Sequence, residues 1–252
     1  MQQRLPSLLD EPIMFAHRGA RALAPDNTIE SFDLALRLGA TGLESDVWLT
    51  RDGQVVLDHD GVVRGRMRRT RPIGEVDRAE LPDHVPTLDE LLDACGTGYH
   101  LSLDLKDDES GPPVIDVIRR RDPSLLARCW LCHPSIDRLE QLRPVDERVR
   151  LVNSTRLARI TEGPERRAAR LAALGIDAVN LRQNEWNGGL VTLFHRFDVA
   201  AFAWDAQHEH QLRPVYRMGI DAVFSDHVDR MYESFVAELG QPARPHGGPA
   251  TP

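Results

Sequence analysis

Eight short apolar segments, separated by stretches of helical periodicity, limit the folds open to this chain more than any other feature. They fall near residues 13–17, 41–48, 101–106, 128–132, 149–153, 177–182, 199–204 and 221–225. Parallel strands need a crossover of a dozen or more residues, usually a helix, so regular strand–helix alternation reads as a run of βα units. Eight such units in 252 residues point to a (β/α)8 TIM barrel filling one domain over residues 1–237. A doubly wound open sheet, the alternative, would not ordinarily need eight strands. The remainder, 238–252, is rich in Pro and Gly and is expected to be a disordered tail.

Local grammar supports the alternation. Asn27 is a suitable N-cap with Glu30 three residues later, Gly39 stands just past the helix end, and Ile29, Phe32, Leu36 and Leu38 fall near one face. In Leu101-Ser102-Leu103-Asp104-Leu105-Lys106, three leucines point one way and three polar residues the other. Polar residues pointing inward belong where a barrel opens into its active site. Such sites gather at the C-terminal strand ends, and His17, Asp46, Lys106 and Trp204 all end strands.

The chemistry is concentrated between residues 15 and 60. Phe15-Ala16-His17-Arg18-Gly19 is an apolar strand ending in polar residues, and Leu43-Glu44-Ser45-Asp46-Val47 places two carboxylates on one strand face. Thr50-Arg51-Asp52-Gly53-Gln54 then offers Asp-Gly for a two-residue hairpin turn, with Val55-Val56-Leu57 as the returning arm after strand two. In that hairpin Arg51 faces Gln54, so paired positions sum to 105 and Asp46 stands opposite His59. Glu44, Asp46 and His59 are then expected to converge. Like carboxylates on one face repel unless a cation is bound, so the pair suits a hard divalent ion beside an acid/base group.

The sequence here resembles the glycerophosphodiester phosphodiesterase family. Its signature matches in order and spacing at His17-Arg18-Gly19, Pro25-Asp26-Asn27-Thr28, Glu44-Ser45-Asp46-Val47, Thr50-Arg51-Asp52-Gly53 and His59-Asp60. Weaker echoes follow at Arg69-Thr70, Pro86-Thr87-Leu88, Leu103-Asp104-Leu105-Lys106, Trp204 and Gly219-Ile220-Asp221-Ala222-Val223. The resemblance implies the same barrel, a divalent metal ion (Ca²⁺ or Mg²⁺) on Glu44, Asp46 and Asp104, and acid/base roles for His17 and His59. Arg18 and Lys106 would flank the phosphate, and Trp204 would pack against the glycerol or alcohol moiety. The implied reaction is hydrolysis of glycerophosphodiesters to sn-glycerol 3-phosphate and an alcohol, the substrate's neighbouring hydroxyl attacking first to give a cyclic phosphate. Three positions depart from the pattern: Asp104 stands where Glu is usual, Asp26 where Glu follows Pro, and Asp205 where Thr follows Trp. The family's inserted element, here 61–86, looks abbreviated to a short loop. It carries Arg64, Arg66, Arg68, Arg69 and Arg71, able to gather anionic substrate or simply be solvated.

Two other functions fit the same residues: a phospholipase D-like activity on lysophospholipids or sphingolipids, and a phosphate-binding barrel without turnover. A lipid enzyme needs an apolar rim, whereas residues 61–71 are basic. The net charge of −8 and pI near 5.7 argue against a nucleic-acid partner, and the substrate is expected to be a small phosphodiester. Lys106 is the only lysine among 31 basic residues, which marks the position, because a compact ammonium and a planar guanidinium are not interchangeable. Cys129 and Cys132 form C-x-x-C but fall on opposite strand faces, so a shared metal is not expected. Lacking an apolar leader or a run of roughly 18 apolar residues, the chain reads as cytoplasmic without stable membrane insertion.

Overall fold

The computed structural model describes residues 4–64 and 70–242. Its order is β1 (Ile13–His17), α1 (Ile29–Arg37), β2 (Gly42–Leu49), β3 (Val55–Leu57), β4 (Val62–Arg64), β5 (Thr70–Pro72), α2 (Leu88–Cys95), β6 (His100–Leu105) and α3 (Gly111–Arg121). There follow β7 (Cys129–His133), α4 (Ile136–Leu142), β8 (Arg150–Ser154), α5 (Pro164–Ala173), β9 (Ala178–Arg182), α6 (Gly188–His195), β10 (Ala200–Trp204), α7 (Glu209–Arg217), β11 (Ala222–Ser225) and α8 (Val228–Leu239). Eight strands run parallel in the order β1-β11-β10-β9-β8-β7-β6-β2, and pairing of β1 with β2 closes the sheet. This is the expected (β/α)8 barrel, with β3 as an antiparallel arm on β2.

Strand alternation sorts the barrel into an outer and an inner core. Leu43, Val47, Leu101, Leu103, Leu131, Leu151, Val179 and Ala201 face the helices. The alternate positions Phe15, Trp130, Cys132, Val152, Phe202 and Phe224 fill the interior. Phe15 and Phe224 stack with centroids 4.8 Å apart, and Trp130 meets Phe202 edge-on at 4.9 Å. Each buried ring is worth about 1.5–3 kcal/mol relative to exposure. The plug fills the lower and middle barrel, leaving the C-terminal end to polar side chains. Cys129 and Cys132 divide between outer and inner cores, as expected from their spacing.

Four local expectations change. The α1 N-cap is Thr28, whose hydroxyl accepts the Ser31 N–H at 3.2 Å, while Asn27 adopts φ +53° and accepts the Ser45 hydroxyl at 2.7 Å. The hairpin loop has three residues, not two: Thr50 N–H donates to Gln54 O (3.0 Å), and Gly53 N–H donates to Thr50 O (2.9 Å). Gly53 lies at φ +76°, the left-handed residue that closes a loop of this length. Positions therefore sum to 104, with Val47 opposite Leu57 and Trp48 opposite Val56, and Asp58, not His59, is drawn beside Asp46 (Asp58 N–H to Asp46 O, 3.1 Å). The insertion is more than a loop: β4 and β5 form a two-stranded ribbon, and Ile73, Val76, Leu81 and Val85 pack with Val56 as a small separate core. Finally, α8 continues through Leu239, past the expected boundary at 237. Residues 243–252 lie outside the described residues, as do Arg66, Arg68 and Arg69.

Among the described residues, no helix is long and apolar enough to cross a membrane.

Candidate active site

At the C-terminal ends of the strands, β1, β2, β6 and β11 and the residues just after them bring seven acid/base or charged groups together: His17, Arg18, Glu44, Asp46, Asp104, Lys106 and Asp226. The register sets Asp46 beside Asp104 on β2 and β6, and His17 beside Glu44 on β1 and β2. Glu44 and Asp46 are only 4% and 2% exposed. One carboxylate oxygen from each of Glu44, Asp46 and Asp104 lies within 4.8 Å of the others. Burial, reinforced by the charges of Asp46 and Asp104, drives the Glu44 pKa upward despite His17 and Arg18. Three carboxylates so placed stay ionised together most readily around a cation. Asp46 Oδ2 is buried and makes no well-aligned hydrogen bond, its nearest charge being Arg18 Nε at 3.1 Å. The trio therefore fits a hard divalent ion.

Cationic side chains hold the trio. Arg18 takes φ +56°, and Gly19 follows at +81°, where an added Cβ would stand 2.7 Å from the Ser31 carbonyl carbon. This turn aims the Arg18 backbone N–H at Glu44 Oε2 (3.0 Å) and brings its Nε to 3.1 Å from Asp46 Oδ2. Lys106 places Nζ 2.9 Å from Asp46 Oδ1 and 3.2 Å from Asp104 Oδ2. Burial opposes the Lys106 charge, but Asp104 and Asp46 outweigh it and hold the ammonium well above its usual pKa.

His17 is oriented by a residue the sequence reading did not single out. Asp226 follows β11 and sits with Oδ1 2.6 Å from His17 Nδ1, while its own N–H donates to Gln207 Oε1 at 2.9 Å. The other ring nitrogen, Nε2, points toward Glu44 Oε2 at 3.9 Å. Burial acts to lower the His17 pKa, but Glu44 and the Asp226 hydrogen bond outweigh it and the net shift is upward. The signal in the sequence was only a Ser-Asp after an apolar strand.

His59 is placed differently from the expectation. It lies beyond the end of β3, its side chain 46% exposed, with Nδ1 2.8 Å from Asp60 Oδ1. Among the described residues its ion pair is with Asp60 and not with the carboxylate trio. The hairpin register, one position away from the expected one, puts Asp58 opposite Asp46 and leaves His59 beyond the end of β3. Arg71, expected either to gather anionic substrate or to be solvated, is bound to Glu80 (2.7 Å) and to the Glu75 carbonyl (2.8 Å).

Beside the trio opens a cleft of about 360 Å³, lined among others by His17, Glu44, Asp104, Asn180, Trp204 and Asp226. A second hollow, about 320 Å³, continues past Lys106 and Cys132. A larger cavity, about 610 Å³, lies at the opposite end of the barrel around His100 and Trp130. It is remote from every acid/base group named above, and catalytic sites in this fold occupy the other face.

The mouth of the closed (β/α)8 barrel thus holds buried carboxylates, a carboxylate-oriented histidine and the chain's single lysine. Residues 17–230 match the glycerophosphoryl diester phosphodiesterase family, and the chain belongs to that family. YhdW of Bacillus subtilis strain 168 is 26% identical over 234 residues, covering 86% of this chain and 95% of that protein. A glycerophosphodiester phosphodiesterase of Bacillus altitudinis is 23% identical over 241 residues, with the same coverage, 86% and 95%. Among solved structures, an Oleispira antarctica phosphodiesterase in complex with the product sn-glycerol-3-phosphate superposes with TM-score 0.77 at 22% identity, covering 89% of this chain and 97% of that one.

Proposed function

We propose that the chain hydrolyses glycerophosphodiesters to sn-glycerol 3-phosphate and an alcohol, using a divalent cation, Ca²⁺ or Mg²⁺, held by Glu44, Asp46 and Asp104. The observation that carries this reading is the meeting of that carboxylate trio with the Asp226-oriented His17 at the barrel mouth. The family match and the product found in the Oleispira enzyme support it.

The residues divide the work as follows. A cation bound to the trio would neutralise the phosphoryl oxygens. Asp226 accepts a hydrogen bond from His17 Nδ1–H, which leaves the Nε2 lone pair facing the cleft as proton acceptor for the attacking oxygen. That oxygen belongs to the substrate's neighbouring hydroxyl, and water opens the resulting cyclic phosphate. Lys106 and Arg18 flank the phosphate with the charges they now share with Asp46. His59, exposed beyond the arm that pairs with β2, donates a proton to the departing alkoxide. Trp204 closes the organic side of the cleft.

Product identity tests the proposal. Glycerophosphoethanolamine or glycerophosphocholine incubated with the protein and Mg²⁺ or Ca²⁺ should give sn-glycerol 3-phosphate by phosphorus NMR. A phosphorylated head-group alcohol, or unchanged diester with both ions, would refute it.

A further inference from the structure

The wall of the cleft around Trp204 has a chemistry of its own. Trp204 ends β10 in register with Arg182 on β9, and the Arg182 guanidinium carbon lies 5.8 Å from the indole centroid. Arg156, just past β8, places its guanidinium carbon 5.4 Å from the same ring. Both cations are fixed. Arg182 donates Nε and Nη2 to Asp205 Oδ2 at 2.8 and 2.6 Å, and Arg156 Nε donates to Glu185 at 2.9 Å. Glu185 also accepts the Arg182 backbone N–H at 3.2 Å, which joins the two pairs.

Deeper in the same cleft, Asn180 is 5% exposed and its Oδ1 has no hydrogen-bond partner, while Nδ2 approaches Ser154 Oγ at 3.4 Å. Turning the amide over exchanges an orphan acceptor for an orphan donor. Either way a buried polar atom lacks a partner, at the cost of its desolvation. A hydroxyl can serve as donor or acceptor and so satisfies both orientations. A trimethylammonium group can satisfy neither.

From these two observations we infer that the alcohol moiety received against Trp204 is an uncharged polyol, and that Arg156 and Arg182 select against a quaternary ammonium head group. An aromatic face attracts a cation through its quadrupole. Two guanidiniums already engage this ring, so a third cation meets repulsion where an unoccupied tryptophan would bind it. Asp205 and Glu185 balance the two arginines, so the group of four around Trp204 is neutral overall and rich in hydrogen-bonding groups. That combination suits a neutral polyhydroxylated alcohol better than an anionic one. This inference rests on the phosphodiesterase reading of the site and names its preferred substrate class.

The test compares kcat/KM for glycerophosphoglycerol and glycerophosphocholine using the full chain with Mg²⁺ or Ca²⁺. The wild type should favour glycerophosphoglycerol by on the order of tenfold or more, within the range of a lost or opposed cation–π contact. The double variant Arg156→Gln, Arg182→Gln should raise kcat/KM for glycerophosphocholine through KM and bring the ratio toward one. Should the double variant not fold, the wild-type ratio and Arg156→Gln alone decide the matter. Equal use of the two substrates by the wild type, or a ratio unmoved in a folded variant, overturns the inference alone. Hydrolysis of neither substrate overturns the phosphodiesterase reading and this one with it.

Discussion

Lys106 Nζ bridges two carboxylates, 2.9 Å from Asp46 and 3.2 Å from Asp104, at the point where β2 and β6 run side by side. A compact ammonium on a flexible stem can turn from these oxygens to an arriving phosphate. A planar guanidinium would pair bidentately with one carboxylate and remain there. We expect Lys106→Arg to lower kcat at least on the order of tenfold with little change in melting temperature, as read by steady-state kinetics and thermal melts. Wild-type kcat in this variant would contradict the role.

The Asp226 contact gives His17 a pH signature. Burial lowers the His17 pKa, Glu44 and Asp226 raise it further, and the net value stands above 6.5. A base is active only above its pKa, so the rate profile should carry an acid limb set by His17. Asp226→Asn removes part of the raising influence and should move that limb to lower pH while lowering kcat through poorer ring orientation. The stability linkage has matching sign. The extra stability of the protonated His17 pairs is full below the unfolded pKa and lost as pH rises through the higher folded one. A limb unmoved in Asp226→Asn would show that another group sets it.

Much of this site was legible because strand alternation fixes direction. Glu44 and Asp46, two residues apart, had to share a face, and Asp104 and Lys106 repeat the same logic on β6. The hairpin register was not legible, because Asp-Gly serves both a two-residue turn and a three-residue loop that ends in left-handed Gly53. That one-residue difference set Asp58, not His59, opposite Asp46. Asp226 was hidden for another reason. Its partner, His17, is 209 positions away, and only barrel closure between β1 and β11 brings the two together. The ribbon of β4 and β5 was missed because its short strands lack apolar alternation and include polar and charged residues, among them Thr70 and Arg71.

The two histidines should respond unequally to removal. His17→Ala deprives the cleft of its carboxylate-oriented base and should lower turnover by on the order of 10²-fold or more. His59→Ala should also lower turnover if it protonates the leaving group, with no loss of melting temperature, since the side chain is about half exposed. A leaving group that needs no proton, such as p-nitrophenolate, should rescue His59→Ala but not His17→Ala. Equal rescue of both would show that the acid and base roles are assigned wrongly.

Asp104 is the most exposed of the three carboxylates, at 31% for its side chain against 5% for Glu44 and 3% for Asp46. Calorimetric titration with Mg²⁺ or Ca²⁺ should show weaker binding in Asp104→Ala and binding equal to or tighter than wild type in Asp104→Glu. The same affinity in all three proteins would place Asp104 outside the ion's shell.

Dependence on the divalent ion tests the account most directly. Hydrolysis of glycerophosphoglycerol should be measured before chelation, after EDTA and dialysis to a verified metal-free state, and after Mg²⁺ or Ca²⁺ is restored, with Glu44→Gln in parallel. The account predicts loss of activity and a lower melting temperature on stripping, recovery of both on restoring the ion, and little recovery in Glu44→Gln. Full hydrolysis by the metal-free wild type would contradict it.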